Sequence, residues 1–368
     1  MDRTPLLHLT TPADWRAALD AGAVVPPSLA EVGFVHLSTP DQVHLPAERL
    51  FPGRRDVVVL VVDPVRLPDP VRLEPGVPGD PASMRFPHLY GPLPTAAVVA
   101  VLPWRPGTPL ALPDPADAWA RVRAMDVSLR TRRAAEVRDV PGGFAVLDPA
   151  FAHSRDDNRV LFTAPAGADE VVAVTTDVAA GARWTTLAVS LLDPTAGPVA
   201  DELAARGWDV AENLVMARWA PFPVDGRRHA EVVPQADVHA IWDRSWRRDL
   251  GALPDLDEVV GQLVGREHRN DRVVRVTDVA VREDGEVVAA AQLRVDGATA
   301  SLESVLSDPA VRRRGYGDAL LARALDTARA AGCDLVVLDA AADDWPQHWY
   351  ARRGWTVVGR TWDAVRTG

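Results

Sequence analysis

The run from Val305 to Leu321, Val-Leu-Ser-Asp-Pro-Ala-Val-Arg-Arg-Arg-Gly-Tyr-Gly-Asp-Ala-Leu-Leu, joins an apolar, strand-like stretch to a helix-like one through three arginines and two glycines. Such a turn can hold an anion. Gly315 and Gly317 take away side chains that would keep a ligand off the backbone. The amides at the start of the following helix have no intrahelical partners, so they are free to meet phosphate oxygens. A diphosphate suits this cradle, with Arg313 and Arg314 adding charge. Three consecutive arginines are also what a solvated turn looks like, but that reading leaves the two glycines without a purpose.

The elements that must position the cradle can be read on both sides of it. Helical patterns at 237–248 and 255–266 precede β-branched runs at 273–281, 287–295 and 298–306. Glu283-Asp284-Gly285 and Asp296-Gly297 separate those runs as hairpin turns. A helix is predicted from Gly315 to about Ala330, ending before Gly332. A strand at 334–340, a short helix at 346–352 and a last strand at 355–361 complete the series.

Arg312-x-x-Gly315-x-Gly317, set within this order of elements, resembles the signature of the GCN5-related N-acetyltransferases (GNAT) over about residues 230–368. The resemblance implies an α/β (α+β) fold, with a mixed central sheet flanked by helices, and acetyl-coenzyme A as the cofactor. It places the coenzyme on Arg312, Arg313, Arg314, Gly315, Tyr316, Gly317 and Asp318, and puts the donor that polarises the thioester carbonyl near Val305 and Leu306. A backbone donor of that kind is worth roughly 2.7–4 kcal/mol in acyl-transfer sites. Tyr350 falls on the tyrosine that protonates the departing thiolate in relatives, a task that suits a phenol protonated at neutral pH. Glu303 falls where relatives often carry the base, and alternation would put it on the face of Val305. A core tyrosine and a surface glutamate are the plainer readings of these two residues. Asp343 and Asp344 read as caps of the next helix, His348 as surface, and Trp242 and Trp246 as one packed helix face. Acceptor recognition is expected from that helix, Asp249 and the region to Asp257, together with the preceding unit.

Proline-rich stretches at 103–115 and 221–228 suggest three units, at 1–105, 116–222 and 230–368. In the middle unit Ala205-Arg206-Gly207-Trp208 echoes Arg352-Arg353-Gly354-Trp355 in the last: each closes a helix and opens a strand. No Arg-x-x-Gly-x-Gly occurs there. It reads either as a degenerate GNAT-like half without coenzyme, packed on the active one, or as an unrelated α/β domain. The N-terminal unit reads as α/β, with a helix at 12–22 capped by Thr10 or Thr11 and strands at 56–63 and 97–102. Its phrases around His8, His36, and His88 to Tyr90 resemble a bacterial domain family of unknown function with an ADP-ribosyltransferase-like fold. That resemblance implies a dinucleotide groove lined by His8, His36, His88 and Tyr90, with Glu74 as the candidate acid.

The 368 residues carry a net charge of −11, which disfavours nucleic acid or an anionic membrane as partner. All 40 basic residues are arginine, a compositional bias that discounts any single one of them. The lone Cys333 excludes an intramolecular disulfide and a cysteine-based zinc site, and no metal is expected. The absence of a leader-like or membrane-length apolar run suggests a soluble cytoplasmic protein. The expected activity is transfer of an acetyl group to a primary amine, on a small molecule or a protein, by direct attack on the thioester. Two alternatives remain: a non-catalytic acetyl-coenzyme A sensor, and an NAD-linked activity of the N-terminal unit. Oligomeric state is not legible.

Overall fold

The computed structural model describes residues 4–76, 84–182, 184, 186–222 and 229–367. The N-terminal unit comprises β1 (Leu6–Thr10), α1 (Pro12–Ala21), β2 (Ala23–Val24), α2 (Pro27–Glu31), β3 (Val35–His36), α3 (His44–Leu50), β4 (Val58–Val62), β5 (Val71–Pro75), β6 (Arg85–Leu89), β7 (Leu93–Pro94) and β8 (Val98–Pro103). Thr11 starts α1 by accepting the Asp14 amide at 3.1 Å, with Pro12 in the first helical position. The wholly buried β4 lies between β1 and β8, and a second sheet runs β3-β6-β5.

After an irregular stretch come α4 (Ala118–Arg133), β9 (Glu136–Val140), β10 (Gly143–Leu147), β11 (Arg159–Phe162), α5 (Ala168–Ala182), β12 (Thr186–Leu191), α6 (Gly197–Ala205) and β13 (Asp209–Trp219). The remainder is β14 (Glu231–Val233), α7 (Gln235–Leu250), α8 (Leu256–Gly265), β15 (Arg275–Glu283), β16 (Glu286–Asp296), β17 (Thr299–Ser307), α9 (Tyr316–Ala330), β18 (Leu335–Ala341), α10 (Pro346–Ala351) and β19 (Thr356–Thr367). Strand β14, absent from the sequence reading, extends the sheet at one edge. Of the composition shift at 221–228, residues 223–228 lie outside the described residues. Phe222 is buried in the C-terminal core rather than in a solvated linker.

One sheet of eleven strands, in the order β14-β15-β16-β17-β18-β13-β19-β12-β11-β10-β9, runs through both later units. The series β9-β10-β11-α5-β12-α6-β13 repeats as β15-β16-β17-α9-β18-α10-β19, and each series exchanges its last strand with the other. Strand β13 pairs antiparallel with β18, while β19 pairs antiparallel with β12. The two exchanged strands lie side by side, from Asp209↔Val365 to Ala217↔Thr356. The Arg-Gly-Trp echo marks this local two-fold, because Trp208 and Trp355 each precede an exchanged strand and are buried. Neither sheet can close without the other half's strand, so the backbone groups of β13 and β19 are satisfied only in the joined molecule.

Helix α4 crosses the junction. Ala118 and Val122 pack on Val215, Ala217, Leu335 and Val337. A Cβ on Gly359 would stand 2.1 Å from Cε3 of Trp119, so the ring needs a glycine beneath it. The fully buried Arg121 bonds Asp334 at 2.8 Å and Thr299 at 2.8 Å. The N-terminal domain docks on the turn between β16 and β17, where the Trp15 indole donates to Asp296 at 2.7 Å and the Ala298 amide to the Val98 carbonyl at 2.7 Å.

Candidate active site at the splay of β17 and β18

Strands β17 and β18 run parallel and pair only at Thr299↔Leu335, Ala300↔Val336 and Ser301↔Val337. Beyond these three pairs β17 continues to Ser307 and β18 to Ala341 without mutual pairing, which opens a V between them. The equivalent strands of the middle unit, β11 and β12, stay paired to Phe162↔Leu191 at the end of β11. That half has no V.

The cradle closes one side of the V. Gly315 has φ 84° with open space around its missing Cβ, a conformation that L side chains resist, and it begins α9. No hydrogen-bond partner is found among the described residues for the amides of Arg313, Arg314, Gly315, Gly317 and Asp318; Ala319 is the first to return to the turn, at 3.2 Å from the Gly315 carbonyl. The arginines divide. Arg314 is held by Glu283 at 3.0 Å, whereas Arg312 and Arg313 are exposed and make no ion pair among the described residues. Asp318 is bridged by Arg353, whose guanidinium also lies 4.3 Å from the Trp349 ring centre. Tyr316 is buried, with its hydroxyl on Glu283. Gly317 also has a packing role. A Cβ there would stand 2.9 Å from Cζ2 of Trp349, so its bareness accommodates α10.

Tyr350 is buried on the α9 side of the sheet, between Trp349 and Trp355. Its hydroxyl has no hydrogen-bond partner among the described residues. Burial, and then the Glu303 carboxylate, raise its pKa, so the phenol stays protonated. The backbone around Glu303 corrects the expected alternation. Ser304, at φ 51°, forms a bulge, so that Glu303 stands opposite Gln292 and Leu306 opposite Ala290. Glu303 therefore shares a face with Leu306, towards α7 and α8, whereas Val305 packs on the α9 side. Val305 and Leu306 both lie on the stretch of β17 that has left β18.

Two carboxylates at the site escaped the sequence reading. Asp339 is the one acidic residue of β18, and Asp126 lies on the α4 stripe that begins with Ala118 and Val122. Burial, with Glu303 and Asp126 next, pushes the Asp339 carboxyl up to about 8. The side chain is nevertheless exposed and makes no hydrogen bond or ion pair among the described residues. The acidic residue inside an apolar strand was the available signal, and alternation alone gave it no partner.

The other expected positions are dispersed. Trp242 is buried and Trp246 packs beside it in the cluster that also holds Leu306, while Asp257 pairs with Arg247 at 2.6 Å and Asp249 is exposed with Arg248 at 3.7 Å. Asp344 accepts the Trp345 amide at 2.7 Å, and His348 is exposed. In the N-terminal domain the four expected residues come together. His8 Nδ1 meets the His36 carbonyl at 2.9 Å, the His36 and His88 rings are 5.1 Å apart, and Tyr90 donates to Glu74 at 2.6 Å. Burial lowers the pKa of His8, keeping it neutral. A cavity of about 910 Å³ opens beside His8 and His36; Glu74, His88 and Tyr90 are not part of its wall.

The comparisons with known proteins follow this division. Residues 236–355 match the model of the acetyltransferase (GNAT) family, and residues 9–101 that of a protein family of unknown function, DUF952. None of the curated proteins matches the chain. Among solved structures, a functionally unknown conserved protein from Staphylococcus epidermidis has 12% identity and a TM-score of 0.52, over 64% of this chain and 94% of its own, which is a likeness of fold. A GCN5-related N-acetyltransferase from Kribbella flavida has 19% identity over 68% of this chain and 96% of its own, with a TM-score of 0.46. One from Sphaerobacter thermophilus has 14% identity over 100% and 96%, with a TM-score of 0.41. Among the described residues no helix is long and apolar enough to cross a membrane, and no cluster of potential metal ligands is found.

Proposed function

We propose that this chain, which carries a GNAT acetyltransferase domain at residues 236–355, transfers an acetyl group from acetyl-coenzyme A to an amine at the V between β17 and β18. The carrying observation is the coincidence, in one half only, of an open V with the amides of Arg313, Arg314, Gly315, Gly317 and Asp318, which have no partner among the described residues. The residues present fit the coenzyme. The amides from Arg313 to Asp318 and the uncommitted Arg312 and Arg313 would hold its diphosphate, and Gly315 leaves the approach open. When bound, the coenzyme supplies an activated acetyl thioester. The backbone of β17 at Val305 and Leu306, released from β18, would turn a donor towards the carbonyl oxygen. Tyr350 would donate to the sulfur as charge builds there. Its raised pKa makes it a hydrogen-bond donor more readily than a source of a free proton.

The middle unit is, on this reading, a degenerate copy that binds no coenzyme. Its β11–β12 pair is closed, and only Thr163 to Gly167 separate β11 from α5. Its contribution is structural: it lends β13 to the active half and lays α4 over the junction.

Acetyl-coenzyme A-dependent release of thiol in the presence of a panel of amines tests the assignment. Tyr350→Phe is expected to lower kcat by about 10²-fold with coenzyme affinity retained. Unchanged turnover in Tyr350→Phe would remove the tyrosine from the mechanism; coenzyme binding without any turnover would leave a sensor.

A second reading concerns the N-terminal domain, where the cavity beside two neutralised histidines favours a ligand. NAD is the first probe, and His8→Ala should abolish its binding while acetyl transfer survives.

A further inference from the structure

The N-terminal domain has a seam of its own. Strands β1 and β3 are edges of different sheets, joined at Leu7↔Ser38 by two backbone hydrogen bonds of 2.8 Å. One step further the ladder would pair Leu9 with His36. Instead the His36 carbonyl takes the His8 ring at 2.9 Å, and the pairing goes no further. Leu9 turns its amide and carbonyl to the same edge as Leu7, because residues two apart on a strand bond to one side, and neither group meets a partner among the described residues. The cavity of about 910 Å³ lies at this seam, a size within the roughly 300–1,000 Å³ of small-molecule sites.

Three polar side chains on the cavity wall are more than nine-tenths buried and still leave an atom unmet. His8 is 8% exposed, Thr10 7% and Ser38 5%. No hydrogen bond of His8 Nε2, Thr10 Oγ1 or Ser38 Oγ is found among the described residues, and none of the three atoms is sealed from solvent, whereas Nε2 of His88 is. The His36 carbonyl can only accept, so Nδ1 of His8 carries the ring proton and Nε2 offers a lone pair. Burial lowers the His8 pKa and holds the ring in that neutral form. Among the described residues two charged side chains line the cavity. Asp14 accepts from the Thr11 hydroxyl at 2.7 Å and sits in the first turn of α1, where helix amides offset its charge. Arg49, in the last turn of α3, makes no ion pair or hydrogen bond among the described residues, and its charge is felt by the His36 ring. Four exposed apolar side chains, Val25, Leu45, Leu50 and Met84, line this same cavity.

We propose that this cavity binds a small amphipathic carboxylate that carries a hydroxyl or N–H close to its carboxylate. The donor meets Nε2 of His8, the carboxylate meets Arg49, and an apolar chain covers Val25, Leu45, Leu50 and Met84. His36, which accepts from His8 and feels Arg49, puts the two polar anchors at one end of the site. The apolar residues left exposed there lose contact with water when the chain settles on them. The net charge of −11 gives the chain no general pull on anions, so Arg49 acts locally. A dinucleotide brings two phosphates to a wall with one uncommitted cation, and is the poorer fit. The proposal is independent of acetyl transfer and shares with the second reading above only the presence of a ligand in this cavity.

Three probes isolate the anchors: 3-hydroxydecanoate has both, decanoate lacks the donor, and decane-1,3-diol lacks the charge. Each is titrated calorimetrically into the full chain at neutral pH, below the concentration at which it forms micelles, with NAD as a fourth ligand. The hydroxy acid should saturate one site, and decanoate and the diol should each bind about 10-fold more weakly. Arg49 is exposed, so Arg49→Gln keeps the fold and should bring the hydroxy acid down to the affinity of the diol. His8→Phe should bring it down to the affinity of decanoate and leave decanoate unchanged. Absence of a saturable site, equal binding of 3-hydroxydecanoate and decanoate, or an Arg49→Gln variant that still prefers the acid to the diol would each overturn the proposal. NAD keeps the two readings of the cavity apart. Tighter binding of NAD than of the hydroxy acid sinks the amphipathic ligand alone, and binding of neither sinks both.

Discussion

Gly317 lies under the Trp349 ring, and a Cβ added to it would stand 2.9 Å from Cζ2. The second glycine of the turn therefore couples the start of α9 to α10, the helix that carries Tyr350. A methyl group at this place must push the indole, and with it the tyrosine.

The first prediction separates the two glycines. Gly315→Ala strains a left-handed residue by roughly 1–2 kcal/mol and should weaken coenzyme binding by reshaping the turn. Gly317→Ala should instead lower turnover more than coenzyme affinity, and Trp349→Ala in the same chain should restore part of what was lost. Calorimetry with coenzyme A and steady-state kinetics on the three variants decide this. Equal loss of affinity in both single variants would return Gly317 to the role of bare backbone under a ligand.

The arginines should also divide in solution. Replacing Arg312 and Arg313 by alanine removes charges with no ion-pair partner among the described residues, and should both weaken coenzyme binding and flatten its dependence on salt. Arg314→Ala removes a guanidinium already given to Glu283, and should leave the salt dependence close to that of the unsubstituted chain. Affinities measured across a salt series distinguish the outcomes.

Strand exchange predicts that the active half cannot be cut out. A chain of residues 229–368 lacks β13, so the edges of β18 and β19 that β13 joins are left open. It should be insoluble or unfolded when made alone, and should be recovered when residues 1–222 are made beside it. A soluble, cooperatively melting 229–368 fragment would contradict the exchange.

Stability should vary with pH in a stated direction. Asp339 in the folded chain titrates at about 8, well above its unfolded value near ~4, so the folded state holds more protons between these limits. Stability from this group is present below ~4 and is lost as pH rises towards 8. Asp278, raised by burial to about 6, acts in the same sense over a narrower window. Asp334, lowered on balance by Arg121 and Arg66 against burial, acts in the opposite sense at the acid end. Melting temperatures of Asp339→Asn should fall less between pH ~5 and ~8 than those of the unsubstituted chain. An equal fall in both would show that Asp339 keeps an ordinary pKa.

Much of the site was legible because it depends on local chemistry. The turn from Arg312 to Gly317, the hairpins at Asp284-Gly285 and Asp296-Gly297, and the helix end before Gly332 all follow from residues near in sequence. The Arg-Gly-Trp echo pointed to a repeat, but not to exchange of the strands after it, because the pattern of a buried strand does not name its neighbour. The bulge at Ser304 escaped for the opposite reason. It is a single residue with positive φ that nothing in its type demands, and it turned Glu303 away from the face of Val305. Asp339 and Asp126 gain meaning only when α4 crosses β18, a contact between residues more than two hundred positions apart.

The most direct test of the central claim is calorimetric titration of acetyl-coenzyme A into the full chain, beside a variant in which Gly315 and Gly317 are both replaced by leucine. One saturable site that disappears in a folded variant is the result predicted here. Absence of binding to the unsubstituted chain, or binding that survives in the variant, would contradict the assignment of the turn between β17 and α9 as the coenzyme site.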